Sequence, residues 1–186
     1  MLNESQNIEF MNKDIKTVRC LLRKYRESDR EKFADLSVDK EVNFFIGGKC
    51  ETREEAYNLF DKVFTIYDGN LLPRHFEIWA IDVNNEYAGH FELKQTGDTE
   101  DDELEVVYFL DKKLWGQGIM PEIIIEINKY AGAINKKLIA TVSSENTKTL
   151  KALRKIGIQK QESLAESDSS SLKIWIEPFD KKEFKT

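Results

Sequence analysis

Tyr108-Phe109-Leu110-Asp111-Lys112-Lys113-Leu114-Trp115-Gly116-Gln117-Gly118-Ile119-Met120-Pro121-Glu122-Ile123-Ile124-Ile125 is the stretch on which the reading of this chain turns. It reads as the end of a strand, a tight turn with two glycines, and the start of an apolar-faced helix. Gly116 and Gly118 permit backbone conformations that a side chain disfavours, and they let a ligand approach the main chain closely. The first amides of a helix have no intrahelical partner, and the positive end of the helix dipole lies behind them. Such a place suits a phosphate or pyrophosphate. Pro121 fits the first turn, where its missing N–H is no loss. By itself Gly-x-Gly is a weak signal. It lacks the Lys-Ser/Thr of a Walker A loop and the third glycine of a dinucleotide fingerprint. A tight strand-to-helix turn without a ligand is the plain alternative.

The surroundings narrow the choice. A length of 186 residues suggests one domain, here expected over residues 15–180 after an irregular lead-in at 1–14. Cys20 and Cys50 are the two cysteines, too few for a disulfide scaffold or a cysteine-built metal site. No apolar run reaches membrane-spanning length and no signal peptide is visible, so a reduced, cytoplasmic setting with no membrane partner is expected. The formal charge of −6 argues against nucleic acid as a partner and is compatible with cationic ones.

Along the chain, residues 15–25 read as a first strand. Ser28-Asp29-Arg30-Glu31 and Thr52-Arg53-Glu54-Glu55 read as capping boxes that open two helices. The inner faces of these helices carry Phe33, Ala34 and Leu36, then Ala56, Leu59, Phe60, Val63 and Phe64. Residues 76–83 and 86–93 alternate as strands around Asn84-Asn85, a hairpin turn candidate. Residues 103–110 form the strand that enters the glycine turn. The helix beyond runs to about Gly132 with Ile119, Ile123, Ile127 and Tyr130 on one face. A buried strand at 138–142 follows, then a helix capped by Ser143-Ser144-Glu145-Asn146 and ended by Gly157, and strands at 158–164 and 171–176. This order implies an α/β protein with a sheet of mixed direction.

Three ordered motifs carry a resemblance. Trp115-Gly116-Gln117-Gly118-Ile119-Met120-Pro121-Glu122, preceded by Tyr108-x-Leu110-Asp111, resembles the acetyl-CoA loop of the GCN5-related N-acetyltransferases (GNAT). It is closest to the RimJ/RimL-like branch that modifies the N-termini of ribosomal proteins. Asn146-x-x-Thr149, followed by Leu153-x-Lys155-x-Gly157, resembles that family's Asn-x-x-Ser helix and its Leu-Glu-Lys-Leu-Gly run; residues 19–29 resemble its opening strand and helix start. Met120 stands where glycine or alanine is usual, Thr149 replaces a serine, Val107 a glycine and Ile158 a phenylalanine.

The resemblance implies a seven-stranded, mixed and mostly antiparallel sheet with about four helices, splayed between the fourth strand (103–110) and the fifth (138–142). It implies acetyl transfer from acetyl-CoA to a primary amine, a protein N-terminus or a small molecule, by direct attack in a ternary complex without a metal. Phe109 and Leu110 would pair with the pantetheine arm, and Trp115, Gly116, Gln117, Gly118, Ile119 and Met120 would form the pyrophosphate loop. Asn146 would contact the cofactor arm or simply cap its helix. Glu105 is the candidate base, or else a solvated strand residue, and Thr149 the candidate partner of the departing thiolate. His90 is a second candidate base near neutral pH. Phe44 and Phe45 lie where the family shapes its acceptor pocket. The acidic run from Asp98 to Glu103 is a solvated loop or an acceptor mouth favouring cationic amines. A homodimer is compatible with the family. A regulatory acyl-CoA-binding module without catalysis is the alternative function; a nucleotide-binding protein would need a phosphate-loop lysine that is absent.

Overall fold

A computed structural model describes residues 13–46, 50–68, 75–166 and 169–178, the side chains of 165, 166 and 169 excepted. It contains eight strands, β1 (Ile15–Lys16), β2 (Cys20–Arg23), β3 (Phe76–Val83), β4 (Glu86–Lys94), β5 (Glu103–Leu110), β6 (Lys137–Ser143), β7 (Ile158–Glu166) and β8 (Ser169–Ile176). Four α-helices accompany them, α1 (Arg30–Val38), α2 (Arg53–Tyr67), α3 (Ile119–Ala133) and α4 (Thr147–Ile156). The chain divides into two compact units. The first comprises the chain up to Lys94 together with Val107–Trp115. The second comprises Gln95–Val106 and the chain from Gly116 onward. Strand β5 contributes residues to both.

In the first unit the hydrogen-bonded strand order is β1-β2-β3-β4-β5. The expected single strand over 15–25 is instead two, which accounts for eight strands rather than seven. Thr17 reverses the chain: its N–H donates to the Cys20 carbonyl, and its hydroxyl accepts from the Cys20 N–H, both at 2.9 Å. Val18, at the tip, is 93% exposed despite being apolar. β3 and β4 form the expected hairpin. Asn84 and Asn85 take φ of 53° and 63°, the left-handed pair of a type I′ turn. Gly89 on β4 lies so close to β5 that an added Cβ would overlap the Phe109 carbonyl oxygen. Its missing side chain is therefore part of the strand packing.

The helix start at 28–31 also differs from expectation. Ser28 and Glu31 do not form the box. A 3-10 turn at Glu27–Asp29 precedes α1, and the Asp29 carboxylate accepts the Arg26 N–H at 2.8 Å. The same carboxylate is gripped by Arg23, whose guanidinium also holds Asp82, with donor–acceptor distances of 2.6 to 2.9 Å. All three side chains are buried. Burial alone would lower the Arg23 pKa, but the bonds to Asp29 and Asp82 overcome it and raise the pKa further. The Thr52 box at α2 forms as expected, with Glu55 N–H donating to the Thr52 hydroxyl and Thr52 N–H to the Glu55 carboxylate. Tyr25, Phe33, Phe60, Val63, Ile78 and Phe109 build the core of this unit. Each large apolar side chain removed from water contributes roughly 1.5–3 kcal/mol.

In the second unit the order is β5-β6-β8-β7. β5 and β6 run parallel, and their register covers three pairs, Glu103↔Lys137, Leu104↔Leu138 and Glu105↔Ile139. β6–β8 and β8–β7 are antiparallel. α3 is rich in isoleucine, whose branched Cβ makes it an indifferent helix former. Spacing decides the outcome: Ile119, Ile123, Ile124 and Ile127 recur on one face and are all buried. The Asn146 side chain accepts from the Thr149 N–H at 3.1 Å to open α4, and Gly157, at φ 116°, ends it.

Arg23→Met is expected to destabilise the protein by about 3–5 kcal/mol, because it strands two buried carboxylates without their cation. Urea unfolding of wild type and variant measures this, and a loss below about 1 kcal/mol would contradict it.

Candidate active site

The glycine turn is built in three steps. Asp111 leaves β5 and accepts the Lys113 N–H through its side chain at 3.0 Å, opening a 3-10 turn at Lys112–Leu114. The Trp115 indole N–H then donates to the Leu110 carbonyl at 2.8 Å and ties the turn back to the strand end. Trp115 is half-buried against the first unit's core, so it anchors the loop. Gly116 and Gly118 adopt φ of 74° and 76°. An added Cβ at Gly116 would meet nothing within 4 Å, so the backbone angle, not space, is what calls for glycine there. Gly116, Gln117 and Gly118 are exposed, while the Ile119 and Met120 side chains are buried. A helical bond runs from the Glu122 N–H to the Gly118 carbonyl. The Ile119 and Met120 amides lie ahead of it, at the positive end of α3. This exposed main chain ahead of a fifteen-residue helix has the form of an anion cradle.

Three further expected residues lie in the second unit. Glu105 is half-buried at the last β5–β6 pair, and its carboxylate has no partner among the described residues. Thr149 and Asn146 are half-buried at the start of α4, where Asn146 acts as the helix cap. The acidic run is not simply a solvated loop. Glu103 is buried, bonded to the Lys173 ammonium at 2.9 Å and to the Trp175 indole N–H at 2.5 Å. Burial pushes its pKa up, but Lys173, the Glu100 amide and Trp175 together hold it below the usual carboxylate value. Lys137 pairs with Asp102 at 2.6 Å.

The first unit holds a cavity of about 340 Å³. Phe33, Leu59, Val63, Ile66, Phe76 and Ile78 make it largely apolar, and Val107 and Phe109 of β5 contribute to its lining. Alternation along β4 adds His90, Glu92 and Lys94. The Tyr25 hydroxyl lies 2.6 Å from His90 Nδ1, and Nε2 lies 3.0 Å from the Glu92 carboxylate, which also accepts from Lys94 at 2.7 Å. Both ring nitrogens of His90 are thus engaged, and the ring stacks on Phe109 at 5.0 Å. Burial alone would raise the Glu92 pKa; its bond to His90 and its attraction to His90 and Lys94 outweigh that and hold it at about 2.

Phe44 and Phe45 do not line this cavity. They form an edge-to-face pair at 4.8 Å, 62% and 43% exposed, while their neighbours Asn43 and Ile46 face inward. Sequence reasoning missed Asn43, Ser37, Lys62, Glu92 and Lys94. The signal for two of them is the period-two pattern His90-x-Glu92-x-Lys94 on a predicted strand. Among the described residues, no group of three His, Cys, Asp or Glu is placed to hold a metal ion, and no helix is long and apolar enough to cross a membrane.

Glu92 carries a pH prediction. Its folded pKa lies below its ordinary 4.5, so its stabilisation is complete above pH 4.5 and is lost as the pH falls toward 2. Across that window the wild type should lose roughly 3 kcal/mol that a Glu92→Gln variant does not lose. Denaturant titrations at pH 2 to 6 measure the difference, and parallel curves would refute it.

Comparison with known proteins agrees with this geometry. The model of the Acetyltransferase (GNAT) domain matches residues 19–159. An acetyltransferase of the GNAT family from Bacillus anthracis superposes with a TM-score of 0.70 at 20% identity, over 88% of this chain and 96% of that one. Mycobacterium smegmatis RimJ, in complex with CoA-disulfide, gives 0.71 at 13% identity over 90% and 88%. The Salmonella typhimurium acetyl transferase that modifies the N-terminal serine of ribosomal protein L7/L12 gives 0.70 at 16% identity over 90% and 100%. No curated protein matches the chain significantly. A domain match over most of the chain is decisive where identities this low speak for the fold alone: the chain belongs to the GNAT acetyltransferase family.

Proposed function

We propose that this protein transfers the acetyl group of acetyl-CoA to a primary amine by direct attack within a ternary complex. The observation that carries the reading is the pair of left-handed glycines, Gly116 and Gly118, exposing the amides that open α3. Solved structures of the same fold with bound CoA support it.

The diphosphate of the coenzyme would rest on the main chain from Gly116 to Met120. Met120 suits this, since its side chain is buried and leaves the amide side clear. The pantetheine arm would run along the main chain at Phe109 and Leu110, in the manner of an added strand. The Leu110 carbonyl already accepts the Trp115 indole N–H. Acetyl-CoA supplies the activated acyl group. The amine nitrogen forms a bond to the acyl carbon, the carbon–sulfur bond breaks, and one proton leaves the nitrogen.

Glu105 is the proposed proton acceptor. Its carboxylate is not spent on an ion pair among the described residues, whereas His90 has both nitrogens committed. The hydroxyl of Thr149, at the start of α4, is the proposed donor to the departing thiolate. Asn146 uses its side-chain oxygen as a cap, which leaves its NH₂ for the coenzyme arm. A primary amine is the acceptor. A ribosomal-protein N-terminus is one form of it, by analogy with the Salmonella enzyme.

Release of thiol from acetyl-CoA in the presence of an amine and peptide panel tests the reading; no release with any acceptor would defeat it. Glu105→Gln should lower kcat by about a hundredfold or more with little change in CoA affinity, the scale of a lost general base. An unchanged pH–rate profile in that variant would remove Glu105 from the proton path. Gly118→Val places a branched side chain at φ 76° on the phosphate-facing turn. Calorimetry should show CoA binding lost in this variant, and wild-type affinity would rule out the cradle.

A further inference from the structure

The cavity of the first unit has a buried polar group that no described neighbour satisfies. Ser37, on the inner side of α1, is 4% exposed, and its hydroxyl has no hydrogen-bond partner among the described residues. Buried hydroxyls are rarely left in this state, and one that lines a cavity is suited to a ligand atom. The charges around the cavity are also unbalanced. Lys62, Lys94 and Glu92 line it. The Lys94 ammonium is spent on Glu92, which also takes the His90 ring N–H. Lys62, on α2, has no ion-pair partner among the described residues. The lining therefore offers an exposed, unpaired lysine at its edge and one unsatisfied buried hydroxyl beside an apolar wall. Its volume of about 340 Å³ is at the small end for ligand pockets, which run from about 300 to 1,000 Å³.

We propose that this cavity selects an acceptor amine with a compact apolar body and a carboxylate, an apolar amino acid, with Lys62 pairing the carboxylate charge and Ser37 donating to it. The inference rests on the proposed acetyl transfer only for its kinetic arm. A carboxylate met by a cation and a donor is well held, whereas a neutral ligand leaves the buried Ser37 hydroxyl without a charged acceptor. Such a site discriminates more strongly against the analogue lacking the polar group than an apolar pocket does against a missing methylene. Glu92 does not repel the carboxylate strongly, because its charge is already met by His90 and Lys94.

The test has two arms. In the kinetic arm, acetylation of phenylalanine, phenylalaninamide, phenethylamine and a peptide beginning with phenylalanine is followed by thiol release. Phenylalanine should exceed its amide and phenethylamine by at least about tenfold in kcat/KM, the difference residing in KM. Lys62→Ala and Ser37→Ala should each shrink that ratio severalfold or more. Ser37→Ala is a safe probe of the folded protein, since its hydroxyl has no bond to lose among the described residues. Equal use of the amide, preference for the peptide, or a ratio untouched by both variants would overturn the proposal. In the binding arm, calorimetry with 3-phenylpropionate, which has the apolar body and the carboxylate but no amine, needs no acetyl transfer. Binding that weakens about tenfold in Lys62→Ala supports the proposal even if no amine is acetylated, and absence of binding to the wild type overturns it. Failure of transfer with every amine beside intact 3-phenylpropionate binding would count against the proposed function and not against this site.

Discussion

The double ion pair of Arg23 is the constraint on which the first unit rests. One guanidinium holds a carboxylate at the start of α1 and another on β3. It joins residues 6 and 59 positions away in sequence. With one cation buried between two anions, none of the three can leave without exposing the others to an apolar surrounding. The arrangement fixes where α1 begins, and the start of α1 determines where Phe33 and Ser37 point. The cavity wall is therefore set by an electrostatic contact that contributes nothing to the cavity lining.

The polar groups around the cavity follow a similar logic. The chain from Tyr25 through His90 and Glu92 to Lys94 keeps a half-buried carboxylate charged by surrounding it with donors. This network and the aromatic core share Tyr25 and stack on the same ring of Phe109. The glycine turn takes its form from the left-handed angles of Gly116 and Gly118 and from the helix end behind them.

Local pattern made most of the elements legible. Isoleucine spacing in α3, the Thr52 box, the Asn84-Asn85 turn and the Asn146 cap are all decided within a few residues, and each forms as read. Two expectations failed for a common reason. Residues 15–25 look like one strand because Val18 is apolar, but Thr17 bonds Cys20 and turns the chain. Ser28 and Glu31 look like a capping box, but Asp29 takes the role, held by Arg23, which is itself fixed by distant Asp82. The glycine turn was visible because its form depends on glycines at a set spacing. The cavity was not, since Ser37, Asn43, Lys62 and Glu92 come from separate elements that only tertiary packing assembles. Phe44 and Phe45 are exposed on a turn that directs Asn43 and Ile46 toward the cavity, a division that no local pattern announces.

Gly89 has a meaning that its place in a strand conceals. In a β-strand a glycine ordinarily marks weakness, having no side chain to pack and more freedom to surrender. Here the carbonyl of Phe109 and the Leu110 backbone occupy the volume a methyl group would need. The smallest residue of β4 thus tolerates the least variation. A library of variants along this strand should accept change at exposed Glu86 more readily than at a position that looks empty.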